Sequence, residues 1–441
     1  MADAGARQNV GHARVLRIAL PIVLSNATVP LLGAVDTGVV GQLGQAAPIG
    51  AVGIGAVILA SFYWIFGFLR MGTSGLAAQA HGAGDEAERT AVLLRALIIG
   101  FLAGSGIALL QGPLFLLAFR VAPASEAVES IAWTYLSLRV WGAPATIALY
   151  AVTGWLIALE RTKTVLLLQL WINGVNILLD LWFVLSLGLG VPGVAVATLI
   201  AEWSGLGLGL WLCRDAFGPA LTVARARLWE GGAIRRMMAV NADIMLRSVL
   251  LQGSFTAFLF FGAGMGDTRL AANQVLLQFL EITAYALDGF AFAAESLVGQ
   301  AVGARSRAML RRSVTLSFQW GFAGAAALSL AFAVYGPQII DLMTTAPEVR
   351  AEARTYLCWL VAAPLIGVAS WIYDGIFIGA TATRDMRNAM LICVANYAVA
   401  LALLVPSLEN HGLWAALMLL NLSRGVVMGR FWKRRAPLLT T

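Results

Sequence analysis

Apolar stretches of about 20 residues or more follow one another along nearly the whole chain, interrupted by short polar connections. A helix of that length crosses the hydrocarbon of a bilayer. In lipid, every backbone N–H and C=O must be satisfied within a helix or around a closed barrel, which excludes open sheets. A barrel would show alternating segments of roughly ten residues, and the chain has none. Twelve spans can be drawn, near 16–41, 49–79, 90–119, 128–158, 164–187, 192–213, 235–263, 271–303, 311–336, 352–379, 388–407 and 411–431. Several exceed a perpendicular crossing and so tilt or extend past the bilayer. The expected fold is an all-α membrane protein of twelve transmembrane helices.

Composition supports lipid as the solvent. Of 441 residues, 60% are hydrophobic and 12% charged, where a soluble domain carries about 25% charged residues; mean hydropathy is +0.81. The net charge of +7 does not point to nucleic acid, because the basic residues are scattered singly through loops rather than gathered in a stripe. Cys213, Cys358 and Cys393 have neither disulfide nor zinc-site spacing. His12, His81 and His411 all lie away from mid-span, so no nucleophile–base pair or metal-ligand set suggests an enzyme. The polar stretch Met1–Arg17 leads into a full-length span, unlike a removable signal peptide.

Charge placement sets the topology. With the N-terminus in the cytoplasm, 22 of the 30 Lys and Arg residues fall on one side, from Arg7 to Arg435. Four, Arg120, Arg269, Arg350 and Arg354, fall opposite, and Arg70, Arg139, Arg247 and Arg424 lie within spans. By the positive-inside rule both termini are cytoplasmic and the span number is even.

The chain also repeats itself. Gln79-Ala80-His81-Gly82-Ala83 returns 221 residues later as Gln300-Ala301-Val302-Gly303-Ala304, Tyr135-Leu136 as Tyr356-Leu357, and Gly154 as Gly375. Gly193–Ser204 resembles Gly412–Ser423 at an offset of 219. An offset of six spans predicts two six-helix lobes of like topology, a transporter architecture with the substrate path between the halves. The expected division is a lobe over 1–214, a cytoplasmic linker over 215–236 and a second lobe over 237–441.

Charges inside spans are costly and ask for a function. Asp36 lies about 28 Å along span one from Arg17, and Asp180 about 26 Å along span five, with Asn176 one turn below it. Thr198 in span six and Tyr135 in span four fall near the same level, in the outer third. Asn173, Asn176 and Asp180 share one helix face. Such a group of oxygens suits a hard cation or a shuttled proton. In the second half, Glu281, Asp288 and Glu295 recur every seven residues on one face of span eight. Arg247 in span seven could pair with Glu281 or Asp288, and Arg139 with Glu202; structural pairing is the expected role of these groups. Asp374 and Arg70 are expected near the cytoplasmic ends of their spans. Pro21 can kink span one. Trp133, Trp141 and Trp155 are expected to serve interface belts and helix packing, the alternative being a cavity lining for flat organic cations held by cation–π contact.

At these residues the chain resembles the multidrug and toxic compound extrusion (MATE) family, in its DinF-like branch. The likeness is carried by Pro21 through Asp36-Thr37-Gly38, by Asn176-Ile177-Leu178-Leu179-Asp180, and by Ala286-Leu287-Asp288-Gly289-Phe290 through Glu295 to Gly299-Gln300-Ala301-Val302-Gly303-Ala304-Arg305. It implies two lobes that alternate between inward- and outward-open states, exporting cationic or lipophilic organic compounds against H⁺ or Na⁺. It also implies that Asp36, Asn176, Asp180 and Thr198, with Tyr135, carry the coupling ion, and that span one bends at Pro21. No cofactor is implied beyond that ion. The expected partners are organic substrates and the lipid bilayer of the inner membrane, with the protein monomeric. The alternative function is a flippase for lipid-linked precursors within the same broad superfamily.

Overall fold

The structure, a computed structural model, describes residues 10–42, 44, 46–121, 124–218 and 220–439; Arg7 lies outside the described residues. Those residues are almost wholly helical, without a strand among them. The first half comprises α1 (His12–Ala27), α2 (Val29–Gly41), α3 (Ala46–Ile65), α4 (Phe68–Gly82), α5 (Glu86–Leu109) and α6 (Gln111–Val121). It continues with α7 (Glu126–Arg139), α8 (Ala143–Ala158), α9 (Thr162–Asp180), α10 (Gly190–Leu212) and the short α11 (Ala220–Arg227). The second half uses longer helices: α12 (Gly231–Ala263), α13 (Asp267–Gly303), α14 (Arg307–Met343), α15 (Pro347–Gly379) and α16 (Thr383–Arg435).

Among the described residues, ten helical stretches are long and apolar enough to cross a membrane. The last, Thr383–Leu439, is interrupted at Glu409, whose φ of 48° is not helical. It therefore holds two passages, and α1 with α2 supplies one more, which is consistent with twelve spans. This is a multi-pass membrane protein.

The residues form two compact units. One contains Leu24–His81 and Asp85–Met237; the other joins the residues through Val23 and Gly82–Gly84 to Met238 onward. Helix association in lipid gains little from the hydrophobic effect and relies on close packing of small residues. Each unit shows this at repeat-related positions. In the first, a Cβ on Gly154 would land on the backbone carbonyl of Arg70; in the second, one on Gly375 would land on that of Ala291. Both residues of the second contact lie 221 positions after those of the first.

The connections repeat too. The peptide N–H groups of Glu160 and Arg161 bond Ile157 O and Leu156 O, each at 2.9 Å, closing α8. Thr381 and Ala382 close α15 with Ile378 O and Phe377 O at the same distances. This is the Schellman arrangement, with the last residue in the left-handed region: Glu160 has φ 59° and Thr381 φ 49°. Non-glycine side chains there cost roughly 1–2 kcal/mol each, so the surrounding helices hold the turns in place. The glycine of the Asp288-Gly289 motif likewise has a packing reason, since a Cβ there would meet Ala19 O at 2.7 Å.

The polar stretch after α10 packs within the first unit. Arg95 donates to the carbonyls that end α11, Arg227 O at 2.6 Å and Leu228 O at 3.1 Å, and pairs with Glu88 at 2.7 Å. Arg227 in turn pairs with Asp85 at 2.6 Å. Asp85 caps α5 by accepting from the Glu88 N–H at 3.0 Å.

Candidate ion-coupling site

Span one is two helices rather than one. The chain stays helical through Pro21 and breaks at Thr28, whose hydroxyl donates to Ser25 O at 2.7 Å. Pro30, in the first turn of α2, accounts for the break: it lacks the N–H that would carry the ladder back to the Asn26 carbonyl. Asn173 on α9 donates to the freed Thr28 carbonyl at 3.3 Å, and accepts from Gln169 at 2.9 Å.

The rest of the α9 face continues the polar track. Asn176, fully buried, donates to Thr198 Oγ1 on α10 at 2.9 Å, and Thr198 donates to Val194 O at 3.0 Å. Asp180, also fully buried, lies within side-chain hydrogen-bonding reach of Asp36 on α2. Directly after Asp180 the backbone widens into a π-helical stretch, Leu181–Ser186, closed by Leu187 N–H to Trp182 O at 3.0 Å. Such departures are common at functional sites.

Tyr135 is 1% exposed and packs its ring over the bare Cα of Gly55. One turn on, Arg139 ends α7 and pairs with Glu202 at 2.7 Å. The expected Arg139–Glu202 pair is present, and its position was not anticipated: Glu202 lies one turn from Thr198 on α10, and Arg139 one turn from Tyr135 on α7. The signal that could have found it is the one-turn spacing of Tyr135 and Arg139, which puts an intramembrane cation on the face of α7 that carries Tyr135.

Asp36, Asn176, Asp180, Thr198 and Tyr135 thus lie in one unit, with Asp36 in reach of Asp180 and Asn176 bonded to Thr198. Chemically the group can hold a proton between carboxyls, or offer oxygens to a monovalent cation. Among the described residues no three His, Cys, Asp or Glu side chains converge in a metal-binding arrangement.

In the second unit, Arg247 makes its ion pair with Asp374, not with Glu281 or Asp288, although Asp288 acts on it electrostatically. Asp374 is shared with Arg424 at 2.6 Å, and Arg424 also donates to Asn421 at 3.1 Å. Asp374 is 9% exposed. Glu281 is exposed, whereas Glu295 is 1% exposed. Sequence periodicity grouped the acids of span eight with Arg247 because it sees one helix at a time. The actual partner comes from span ten and the second arginine from span twelve.

Comparison with known proteins adds to this geometry. The family model MatE matches residues 21–182 and 244–404, once in each half. DNA damage-inducible protein F of Escherichia coli (strain K12) is 40% identical over 423 residues, covering 95% of this chain and 91% of its own. The probable multidrug resistance protein NorM of Rhodopseudomonas palustris is 28% identical over 390 residues, covering 85% and 79%. A solved structure described as the outward-facing conformation of a multidrug resistance MATE family transporter of the MOP superfamily superposes with a TM-score of 0.89. It has 18% identity and covers 99% of this chain and 98% of its own.

Proposed function

The chain belongs to the MatE family, whose members are transporters and not enzymes, and from that membership we propose that it exports cationic or lipophilic organic compounds by antiport against H⁺ or Na⁺. The observation that carries the ion-coupled reading is the close Asp36–Asp180 pair, supported on α9 by Asn176 and its partner Thr198. Buried carboxyls are expensive in a membrane and mark ion pathways. Loading the pair with an ion changes its charge, so the loaded and empty forms favour different arrangements of α2, α9 and α10. Substrate and ion need not touch; opposite preferences for two conformations suffice.

Relatives named as probable multidrug resistance proteins support the substrate class. The bias of basic residues supports an inner-membrane protein with both termini in the cytoplasm. Translocation of lipid-linked precursors would want basic side chains available to a phosphate. Arg139, Arg247 and Arg424 are engaged in ion pairs, which favours the antiporter.

The test is ethidium efflux from cells expressing the protein. Wild type lowers the steady-state ethidium signal, and Asp36→Asn, inserted at equal abundance, does not. Efflux by Asp36→Asn at the wild-type rate removes Asp36 from the mechanism.

A further inference from the structure

The stretch that follows α10 is held down at both of its ends. Its first turn, Arg214–Phe217, contains Asp215, which meets Arg161, the residue before α9, through two bonds of 2.7 and 2.8 Å. At the far end, Arg95 holds the carbonyls of Arg227 and Leu228 that close α11, and Arg227 holds Asp85. Both fastenings are made at the ends of helices long and apolar enough to span. Arg95 stands about 6 Å beyond Ala91, where the apolar run of α5 opens, and its guanidinium turns back to Glu88 at 2.7 Å. A long basic side chain that reaches out of an apolar run in this way marks the level where hydrocarbon gives way to headgroups. The end of α11 is therefore fixed at that boundary and not out in the aqueous phase.

The clasp belongs to this stretch and not to the repeated fold. The residues 221 positions after Asp85 and Arg95 are Ser306 and Leu316, which can make neither ion pair. What the clasp leaves facing outward has the chemistry of a bilayer surface. Leu221, Ala224 and Leu228 follow i, i+3, i+7 spacing and turn inward, Ala224 being wholly enclosed. On the other side Val223 is 51% and Trp229 73% exposed, and Trp211, at the end of α10, is 58% exposed. The Arg214 guanidinium lies over the Trp211 ring at 4.4 Å, and Arg225 is exposed on α11. Between Arg214 and Arg236 five arginines stand against two acids, one of which, Asp215, is already taken by Arg161. Tryptophan favours the headgroup level, and arginines there draw negatively charged lipid.

We propose that Arg214–Glu230 is a lipid-binding element seated on anionic phospholipid, with Val223 and Trp229 at the acyl boundary and Arg214 and Arg225 on the headgroup phosphates. Charge complementarity selects the occupant: a zwitterionic headgroup has no excess negative charge for the arginines to answer, and an anionic one does. The ties at Asp215 and Arg95 hold α11 against the unit, so the leaflet covers the face that the unit leaves open. This binding is separate from transport and makes no use of the Asp36–Asp180 site.

The test uses purified full-length protein in nanodiscs of phosphatidylcholine that contain increasing fractions of tail-brominated phosphatidylglycerol or tail-brominated phosphatidylcholine. The emission that Trp229→Phe removes is taken as the Trp229 signal. Brominated phosphatidylglycerol should quench that signal at a lower membrane fraction than brominated phosphatidylcholine, and aqueous iodide should leave it unchanged. Arg225→Gln should raise the phosphatidylglycerol fraction needed for half-quenching about five-fold, and Arg214→Gln/Arg225→Gln should abolish the difference between the two lipids. Quenching by iodide and not by bromine would place Trp229 in water. Equal quenching by both lipids in the wild type, unmoved by the arginine variants, would make the contact purely apolar. Either result overturns the proposal.

Discussion

Asp180 and Asn176 are both wholly enclosed, one turn apart on α9, and each reaches a different neighbouring helix. Their roles should therefore separate by mutation. Thr198→Val keeps the shape of the side chain but removes the acceptor for the Asn176 amide, leaving a buried donor unpaired at a cost of about 1–3 kcal/mol. A lowered melting temperature in detergent, with transport reduced but still ion-driven, is expected. Asp36→Asn differs in kind: an amide still hydrogen-bonds Asp180, so stability is kept and coupling is lost. A Thr198→Val protein that loses ion dependence altogether would show that the hydroxyl belongs to the ion's own ligands. Helix arithmetic made this group legible, since rise per residue fixes depth and spacing fixes the face. Which side chains meet across helices was not legible, and neither was the Arg247–Asp374–Arg424 grouping. Those depend on how helices rotate about their axes, which is decided by packing of small residues and not by any period in the sequence.

The elements were read more fully than their joints. Span positions follow from apolar length alone, but the sequence pointed only to a kink at Pro21, where the chain stays helical, and gave no sign of the break at Thr28, ahead of Pro30. A proline deep in a helix removes one bond and bends the element, whereas Pro30 lies where a first turn can begin and so permits a clean restart. Glycine contacts fix how elements meet. Gly154→Ala and Gly375→Ala each push a methyl group into a backbone carbonyl on the neighbouring helix, and should destabilise by about 1–3 kcal/mol. Gly174→Ala, with open space around it, is the control; thermal denaturation in detergent distinguishes them, and equal melting temperatures for all three would contradict the packing account.

The fastening of α11 has its own pH signature. Burial raises the pKa of Asp85, but the Glu88 N–H and the Arg227 guanidinium outweigh it and hold the carboxyl below its ordinary 3.8. A depressed pKa contributes stability that is present above the unfolded value and is lost as pH falls through the folded one. Amide-exchange protection over Ala220–Arg227 should hold from about pH 7 down to about pH 4 and fall only in stronger acid. Loosening between about pH 5 and 6 would mean that another group fastens the segment.

At the scale of the molecule, duplication was the most legible feature, and it survives in the smallest details. The left-handed residues Glu160 and Thr381 are 221 positions apart, as are Gly84 and Arg305. The two copies have diverged in what they bury. The first unit sets two carboxyls side by side, whereas the second shares one carboxylate, Asp374, between two arginines. An equivalent of the carboxyl pair is thus absent from the Arg247–Asp374–Arg424 cluster, and the proposed ion exchange falls to the first unit. Removing Asp374 strands two buried guanidiniums, which should cost about 3–5 kcal/mol. Asp374→Asn is therefore expected to show low abundance in the membrane, and the protein that does insert should keep its ion preference, measured as gradient-driven transport per inserted molecule.

The most direct measurement reverses the driving force. In proteoliposomes preloaded with a fluorescent organic cation, net movement through the wild-type protein should change direction when the imposed ion gradient is inverted, and Asp36→Asn should move the compound under neither polarity. Movement that ignores the polarity of the gradient, or that persists at full rate in Asp36→Asn, would contradict coupling through the Asp36–Asp180 pair.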